Sequence, residues 1–540
     1  MDTTACDNLA QLIREQVSTQ PDKVVLTFEG GDARPDVVRS YRDLWRNGQA
    51  LARGLKQRGI GPGSVIALLM ANHAEFVDVL LAGALLRAAV VPIDPRIRGE
   101  KLVFMVRNSR STAIIAADYA LPKVESAGRE ALAVEWVCAL ATDEGPPRGS
   151  WRPDVVELST LFLPDGEDLP VPQGIGEEIM QIIHTSGTTG DPKGIVLTHH
   201  RFCDTSRRTL SAFGYQADDR LYSGLSLTHA NAMMVTMGPA LTAGIPAVFS
   251  RRFTRSRLWA ITRKYQCTTF TLLGGMTTSL YAQPPKPDDA DNPVRFVVSA
   301  GMPEVIWEAF ERRFGVRVLE FYGAAEGGLA MKPIGMGPVG SFGKLAPGYI
   351  YRIVDDAGVD VPRGQPGELW VRAADGTPFK IEYFGNPQAS ALKGAGGWLH
   401  MGDVVHEDAE GWLYFDYRKG GGIRRNGDFI SPSFVEKAIA ESGMVHDVFV
   451  YGIASSSGAP GEKDVVAAVV PRGDGSFDAQ ALYRWCRSRL ESNFVPSYLQ
   501  VVDQIPKTAS EKPQEHELVK VFASDAHDVY REQRAEKVAG

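Results

Sequence analysis

The sequence predicts an α/β protein. Its large N-terminal domain is built of doubly wound sheets plus a small β-barrel-like segment, and a small α+β C-terminal domain follows. Three observations carry this. Over the first 400 or so residues, short β-rich runs alternate with helical stretches, the pattern of parallel sheets covered on both faces. From Gly337 to Val371, seven glycines punctuate short strands, which reads as a turn-rich β barrel or meander. Beyond Gly420–Gly421–Gly422 the alternation resumes on a smaller scale. A length of 540 residues also excludes a single core, since one domain takes roughly 150 residues.

The elements follow in order. Val65–Met70, Val90–Ile93 and Ala113–Ala116 read as strands, with amphipathic helices over Tyr41–Arg58 and Ala74–Leu86 between them. The apolar run Val79–Ile93 is interrupted by Arg87 and too short to span a bilayer, so it predicts a buried helix followed by a strand. Ile179–His184, Ala247–Phe249, Thr268–Leu272, Phe296–Ser299 and Val318–Tyr322 continue the strand series. Tyr349–Val354 and Gly367–Val371 belong to the glycine-punctuated segment. After the glycine triplet, whose backbone is the freest in the chain, helices are expected near Ser433–Ser442 and over Ala479–Ser492. Strands are expected at Val445–Ile453, Val465–Pro471 and Leu499–Val502. The domain boundary is placed at this triplet, giving 1–417 and 418–540.

Composition narrows the function classes. Apolar residues make up 44% and charged residues 23%, as in an ordinary folded protein. A net charge of −7 argues against a nucleic-acid binder or a protein drawn to anionic membranes. Five scattered cysteines (Cys6, Cys138, Cys203, Cys267 and Cys486) have neither zinc-site nor CxxC spacing and read as reduced thiols. The first residues carry Asp2, Asp7 and Glu15 and no apolar run. No signal peptide is therefore expected, and the predicted location is cytoplasmic.

The most informative segment is Gln181–His200, QIIHTSGTTGDPKGIVLTHH. An apolar strand leads into Thr185, Ser186, Gly187, Thr188, Thr189 and Gly190. Lys193 and Gly194 follow, and then a second strand through Ile195–Leu197. Glycines let backbone N–H groups approach an anion, hydroxyls add donors, and the lysine adds charge. The plain alternative is a Ser/Thr/Gly surface turn. A Walker loop is excluded, because Gly194 rather than Ser or Thr follows the lysine.

This string resembles the signature loop of the adenylate-forming superfamily, which holds acyl-CoA synthetases, luciferases and peptide-synthetase adenylation domains. Further motifs of that superfamily follow in order. Val298–Pro303 resembles its strand and turn beside the adenine, and Phe321–Gly328 its YGxTE motif. Gly397–Asp403 resembles GWxxTGD, Tyr417–Lys419 with Ile423–Asp428 the hinge segment, and Pro506–Lys512 the C-terminal lysine loop. Among members, the chain most resembles crotonobetaine/carnitine-CoA ligase and related acyl-CoA ligases.

The resemblance implies a role for each matched residue. Thr185–Gly190 and Lys193 would bind phosphates. Gly301, Met302, Tyr322, Gly323, Ala325, Asp403 and Arg418 would complete the nucleotide site, with Tyr322 stacked on adenine and Asp403 accepting from ribose hydroxyls. Glu326 would hold Mg²⁺, a hard cation suited to carboxylate and phosphate oxygens. Lys512 would bridge carboxylate and α-phosphate. His229, in the segment Leu225–Asn231, would gate the acid site. Gly274, Gly275, Gly301 and Gly327 would line the acid pocket, their small size implying room for a sizeable or flat acyl group. Arg424 and Gly427 would face the acceptor, presented by a mobile C-terminal domain hinged near Gly420.

Five positions depart from the pattern: Ala325 and Met401 for threonines, Tyr417 for an aspartate, Gly420 for a hinge Asp or Lys, and Glu511 for a glycine. The resemblance implies ATP-dependent activation of a small carboxylic acid as acyl-adenylate, with pyrophosphate release and transfer to CoA. The departures keep other acceptors open: a carrier protein, an amine, or nitrite activation in a diazotase-like reaction. A nucleotide-binding member without chemistry is the remaining reading. Neither nucleic acid nor membrane insertion is expected.

Overall fold

The computed structural model describes residues 6–31, 34–184, 192–419, 423–425, 428–430, 432–456, 463–473, 477–508 and 511–532. The chain forms two compact units, one of residues 1–271, 291–298 and 380–394, the other of 272–290, 299–379 and 395–540.

The first unit carries a seven-stranded sheet. Its order is Val155–Glu157, Trp136–Leu140, Ala113–Ala117, Val65–Leu69, Ala89–Pro92, Ile179–His184 and Gly194–Thr198. All neighbours are parallel except the last pair. The chain steps from Val65–Leu69 to one side and then returns to the other, so the strand order reverses there as in doubly wound sheets. The helix Tyr41–Gln57 starts at a reciprocal cap: Asp43 N–H donates to Ser40 Oγ, and Ser40 N–H to Asp43 Oδ2, both at 3.1 Å. The helix Ala74–Leu86 is apolar on nearly every side and buried throughout, which marks an inner helix rather than a surface one. Each buried Leu or Phe there contributes about 1.5–3 kcal/mol by leaving water. Its one buried charge, Asp78, is held by Arg39 through bonds of 3.2 and 2.8 Å. In the same unit Thr269, Phe270 and the strands Leu221–Ser223, Ala247–Phe249 and Val24–Phe28 pair in parallel, with Val37–Ser40 antiparallel at the edge.

The second unit holds a hairpin of Arg317–Ala324 and Gly327–Lys332. The glycine-punctuated segment is an open antiparallel meander of Tyr349–Val354, Gly367–Ala373, Leu399–Glu407 and Leu413–Arg418. Near the end of the chain a four-stranded sheet runs in the order Val445–Ala454, Lys463–Pro471, Tyr498–Val501 and Val529–Arg531. The helices Pro432–Ala440 and Ala479–Arg489 cover it around a core of Val435, Ile439, Val465, Val469, Leu482 and Leu499. The second helix stops three residues before its expected end, because Leu490 turns extended and packs into that core. Lys437 Nζ lies 2.8 Å from Glu304 Oε2 on the helix Glu304–Phe314. All five cysteines are buried and free. Among the described residues, no helix is long and apolar enough to cross a membrane.

Candidate functional site

In the second unit, sequence-distant motifs meet at Asp403. Asp403 and Arg418 are cross-strand partners in the meander, which places a carboxylate and a guanidinium side by side. Arg418 Nη1 lies 3.5 Å from Asp403 Oδ1. That oxygen has no hydrogen-bond partner among the described residues, while Tyr322 O–H donates to Asp403 Oδ2 at 2.6 Å. The Tyr322 ring stacks on Phe342 with centroids 4.6 Å apart. Burial, and then the adjacent Asp403 carboxylate, raise the Tyr322 pKa well above that of a free phenol. Tyr322 and Gly323 lie just before Ala324, which ends the first strand of the hairpin; Ala325 and Glu326 form its turn, and the Glu326 residue is buried.

Lys512 sits on a loop closed by Thr508 N–H to Lys512 O at 2.8 Å and Gln514 N–H to Pro506 O at 2.8 Å. Its residue surface is exposed. Even so, desolvation by the surrounding protein lowers its pKa, and Arg418 adds to this. Asp403 and Glu326 pull it the other way, so all three groups act electrostatically on Lys512. Glu511, where the pattern has glycine, adopts φ +58, a left-handed conformation that costs a residue with Cβ about 1 kcal/mol.

The turn at Gly301 and Met302 is held from below by a buried carboxylate that the sequence reading passed over. Glu320 Oε1 accepts from Gly301 N–H at 2.5 Å, and both Glu320 oxygens accept from Met302 N–H at 3.2 Å. Burial pushes the Glu320 pKa up to about 8, opposed by those amide bonds. One charged residue in the apolar strand Val318–Phe321 was the available signal. Gly301 has φ +95, and a Cβ on Gly274 would stand 2.8 Å from Gly301 O. A Cβ on Gly327 would meet Phe379 at 2.7 Å, and one on Gly328 would meet Met401 Sδ at 2.9 Å. The space left by these glycines is thus filled by backbone, Phe379 and Met401 rather than left as a void. Gly275 lies on the helix Gly274–Tyr281.

In the first unit, Ile179–His184 and Gly194–Thr198 pair antiparallel, with His184 opposite Gly194. Thr185, Ser186, Gly187, Thr188, Thr189 and Gly190 lie outside the described residues. Lys193 is exposed, with Nζ 5.4 Å from the Tyr383 ring centroid. His229 follows the strand Leu221–Ser223; its N–H donates to Ser226 O at 3.0 Å, and its Nδ1 accepts from Asn231 N–H at 3.2 Å. The neutral imidazole therefore carries its proton on Nε2. Asn72, also passed over in the sequence, bonds the segment just before His229. An isolated asparagine between an apolar strand and an apolar helix was its only mark. Arg424 lies on the strand Ile423–Arg425, while Gly420 and Gly427 lie outside the described residues.

The fold is that of the adenylate-forming ligases. The structure matches an anthranilate CoA ligase in complex with anthranoyl-AMP at a TM-score of 0.82 and 22% identity, covering 95% of this chain and 96% of that one. It matches a benzoate CoA ligase from Burkholderia xenovorans at 0.80 and 22%, covering 95% and 99%. The chain belongs to the AMP-binding enzyme family, whose signature matches residues 13–377, with the AMP-binding enzyme C-terminal domain matching 435–512. A crotonobetaine/carnitine–CoA ligase of Escherichia coli is 28% identical over 484 residues, 88% of this chain and 91% of its own length. One from Salmonella paratyphi B is 26% identical over 527 residues, 95% and 99% of the two chains.

Proposed function

We propose that the protein is an acid–CoA ligase. It activates a small carboxylic acid with ATP as the acyl-adenylate, releases pyrophosphate, and passes the acyl group to CoA. The observation that carries this reading is the electrostatic grouping of Lys512 with Arg418, Asp403 and Glu326, drawn together from motifs almost 190 residues apart. The CoA-ligase names of the relatives support the choice of acceptor.

The residues divide the work. Asp403 Oδ1, which makes no hydrogen bond of its own among the described residues, accepts from the ribose, and the Tyr322 ring, backed on one side by Phe342, offers its other face to adenine. Lys193 and residues 185–190 bind phosphates. The buried Glu326 carboxylate, a hard oxygen donor, would hold a magnesium ion. When bound, that ion supplies charge neutralisation on the leaving pyrophosphate. The carboxylate attacks the α-phosphorus in line, and Lys512 compensates the negative charge that builds there, so no side-chain nucleophile is required. Residues 418–540 then turn about Gly420, withdraw Lys512, and bring Arg424 and Gly427 to the thiol. Five buried thiols suit a reducing, cytoplasmic setting.

A carrier-protein thiol, an amine or nitrite is the alternative acceptor. Met401 and the glycine triplet, which depart from the acyl-CoA ligase pattern, favour it. The deciding experiment incubates the protein with ATP, Mg²⁺ and a panel of carboxylic acids, with and without CoA, and measures pyrophosphate, AMP and ADP. AMP with CoA-dependent turnover supports the ligase, AMP formed without a CoA requirement moves the acceptor elsewhere, and no AMP with any acid sinks adenylation.

A further inference from the structure

Between the strand Val65–Leu69 and the buried helix Ala74–Leu86, the chain reverses through Ala71, Asn72 and His73. His73 N–H donates to Ala71 O at 2.8 Å, a three-residue turn with Asn72 at its apex. The Tyr119 hydroxyl clamps both flanks, accepting from Ala71 N–H at 2.9 Å and lying 3.0 Å from His73 Nε2. Burial lowers the His73 pKa to about 3, so this imidazole is neutral and can accept the Tyr119 proton.

Asn72 is 2% exposed, and its amide makes three bonds. Nδ2 donates to Leu225 O and to Ser250 O, both at 2.8 Å, and Oδ1 accepts from Leu227 N–H at 2.7 Å. The amide orientation is unambiguous, because a flipped group would set an oxygen against two carbonyls. Leu225 follows the strand Leu221–Ser223, Ser250 follows Ala247–Phe249, and Asn72 follows Val65–Leu69. One amide thus ties together the C-terminal ends of strands from two sheets of the first unit, the edge at which open α/β sheets bind ligands. The segment it holds leads directly to His229, whose own backbone and Nδ1 are fixed by Ser226 and Asn231.

We infer that Asn72 is a positioning residue for acid activation: it fixes Leu225–Leu227 so that His229 offers an Nε2–H donor to the substrate carboxylate. This rests on the acid-side role of His229 proposed above.

The test uses full-length Asn72→Ser and Asn72→Asp in ATP–pyrophosphate exchange with an accepted acid. The expected result is a rise of about tenfold in KM for the acid with KM for ATP nearly unchanged. In a His229→Ala background, Asn72→Ser should cause no further loss of kcat/KM for the acid, because the two residues act in series. Parallel rises in both KM values, or independent multiplicative losses in the double variant, overturn the inference. A second measurement needs neither variants nor an accepted acid. ¹⁵N-histidine NMR of the native protein should show His229 unprotonated at Nδ1 and protonated at Nε2; the opposite tautomer overturns the inference. Absence of AMP with every acid would instead sink the ligase reading and leave the tautomer result standing.

Discussion

Around Asp403 the protein arranges its groups by charge, and around His229 by neutral amides. Arg418 is more than half exposed and 3.5 Å from its carboxylate, an ion pair of the kind that contributes only about 0–1 kcal/mol. The Asn72 bonds are buried, and leaving one of those partners unsatisfied would cost about 1–3 kcal/mol. The difference teaches what each region is free to do. The charged cluster can exchange its internal partners for a ligand and then recover them at little cost. The amide-held segment cannot relax, and so presents one fixed geometry to whatever enters.

Perturbing the charged side most strongly should break the comparison most clearly. Lys512→Ala is expected to slow acyl-adenylate formation by about 100-fold or more, as removal of a group facing developing charge does. Use of preformed acyl-adenylate should change only a few-fold. Equal losses in the two half-reactions, measured on the same preparation, would refute the separation of roles.

Tyr322→Phe keeps the ring on Phe342 but removes the hydroxyl that Asp403 accepts. A loss of about 1 kcal/mol, or roughly fivefold in KM for ATP, is expected, with KM for the acid unaffected. A shift in the acid parameter alone would mean that Asp403 does not serve the nucleotide.

Glu320 gives a test by pH. Its folded pKa of about 8 stands above the unfolded value near 4.5, so the folded state binds the proton more tightly. The associated stability is complete below the unfolded value and is lost as pH rises through about 8. Between about pH 4.5 and 8, stability should fall by about 1.4 kcal/mol per pH unit relative to Glu320→Gln, which cannot titrate, and then level off. Denaturant midpoints of the two proteins from pH 6 to 9.5 measure this. Parallel profiles would show that Glu320 is ionised throughout.

The smallest effect is expected at Glu511→Gly. Relief of the left-handed strain and the greater unfolded-state freedom of glycine nearly cancel, leaving stability within about 0.5 kcal/mol. A clear gain in adenylation rate from this change would show that the strained loop, and not the chemistry, limits that step.

Long periodic elements were legible in the sequence. The helix Ala74–Leu86 and the strands Ile179–His184 and Tyr349–Val354 fall at their expected residues, because an apolar run between polar or glycine bounds has few other solutions. The short strands Val24–Phe28 and Leu221–Ser223 and the helix Leu9–Thr19 were not read, since their signals are brief and only tertiary pairing decides them. At the candidate site, residues carried by motifs could be named, and the cross-strand pair Asp403–Arg418 fits that reading. Asn72, Glu320 and Phe342 act by contact across long sequence separations, which no local pattern encodes. The glycines at 274, 327 and 328 suggested space, but sequence does not reveal that Phe379 and Met401 occupy it.

The buried cysteines carry a consequence for watching the enzyme work. Burial raises the thiol pKa to about 12 at each of the five, far above working pH, so the native thiols are expected to resist maleimides. A fluorophore pair can therefore be attached through introduced cysteines alone, with no background to remove. Lys437 and Glu304, whose charged atoms lie 2.8 Å apart, mark two helices suited to such labels. If the proposed rotation of residues 418–540 accompanies turnover, their separation would become an optical readout of it.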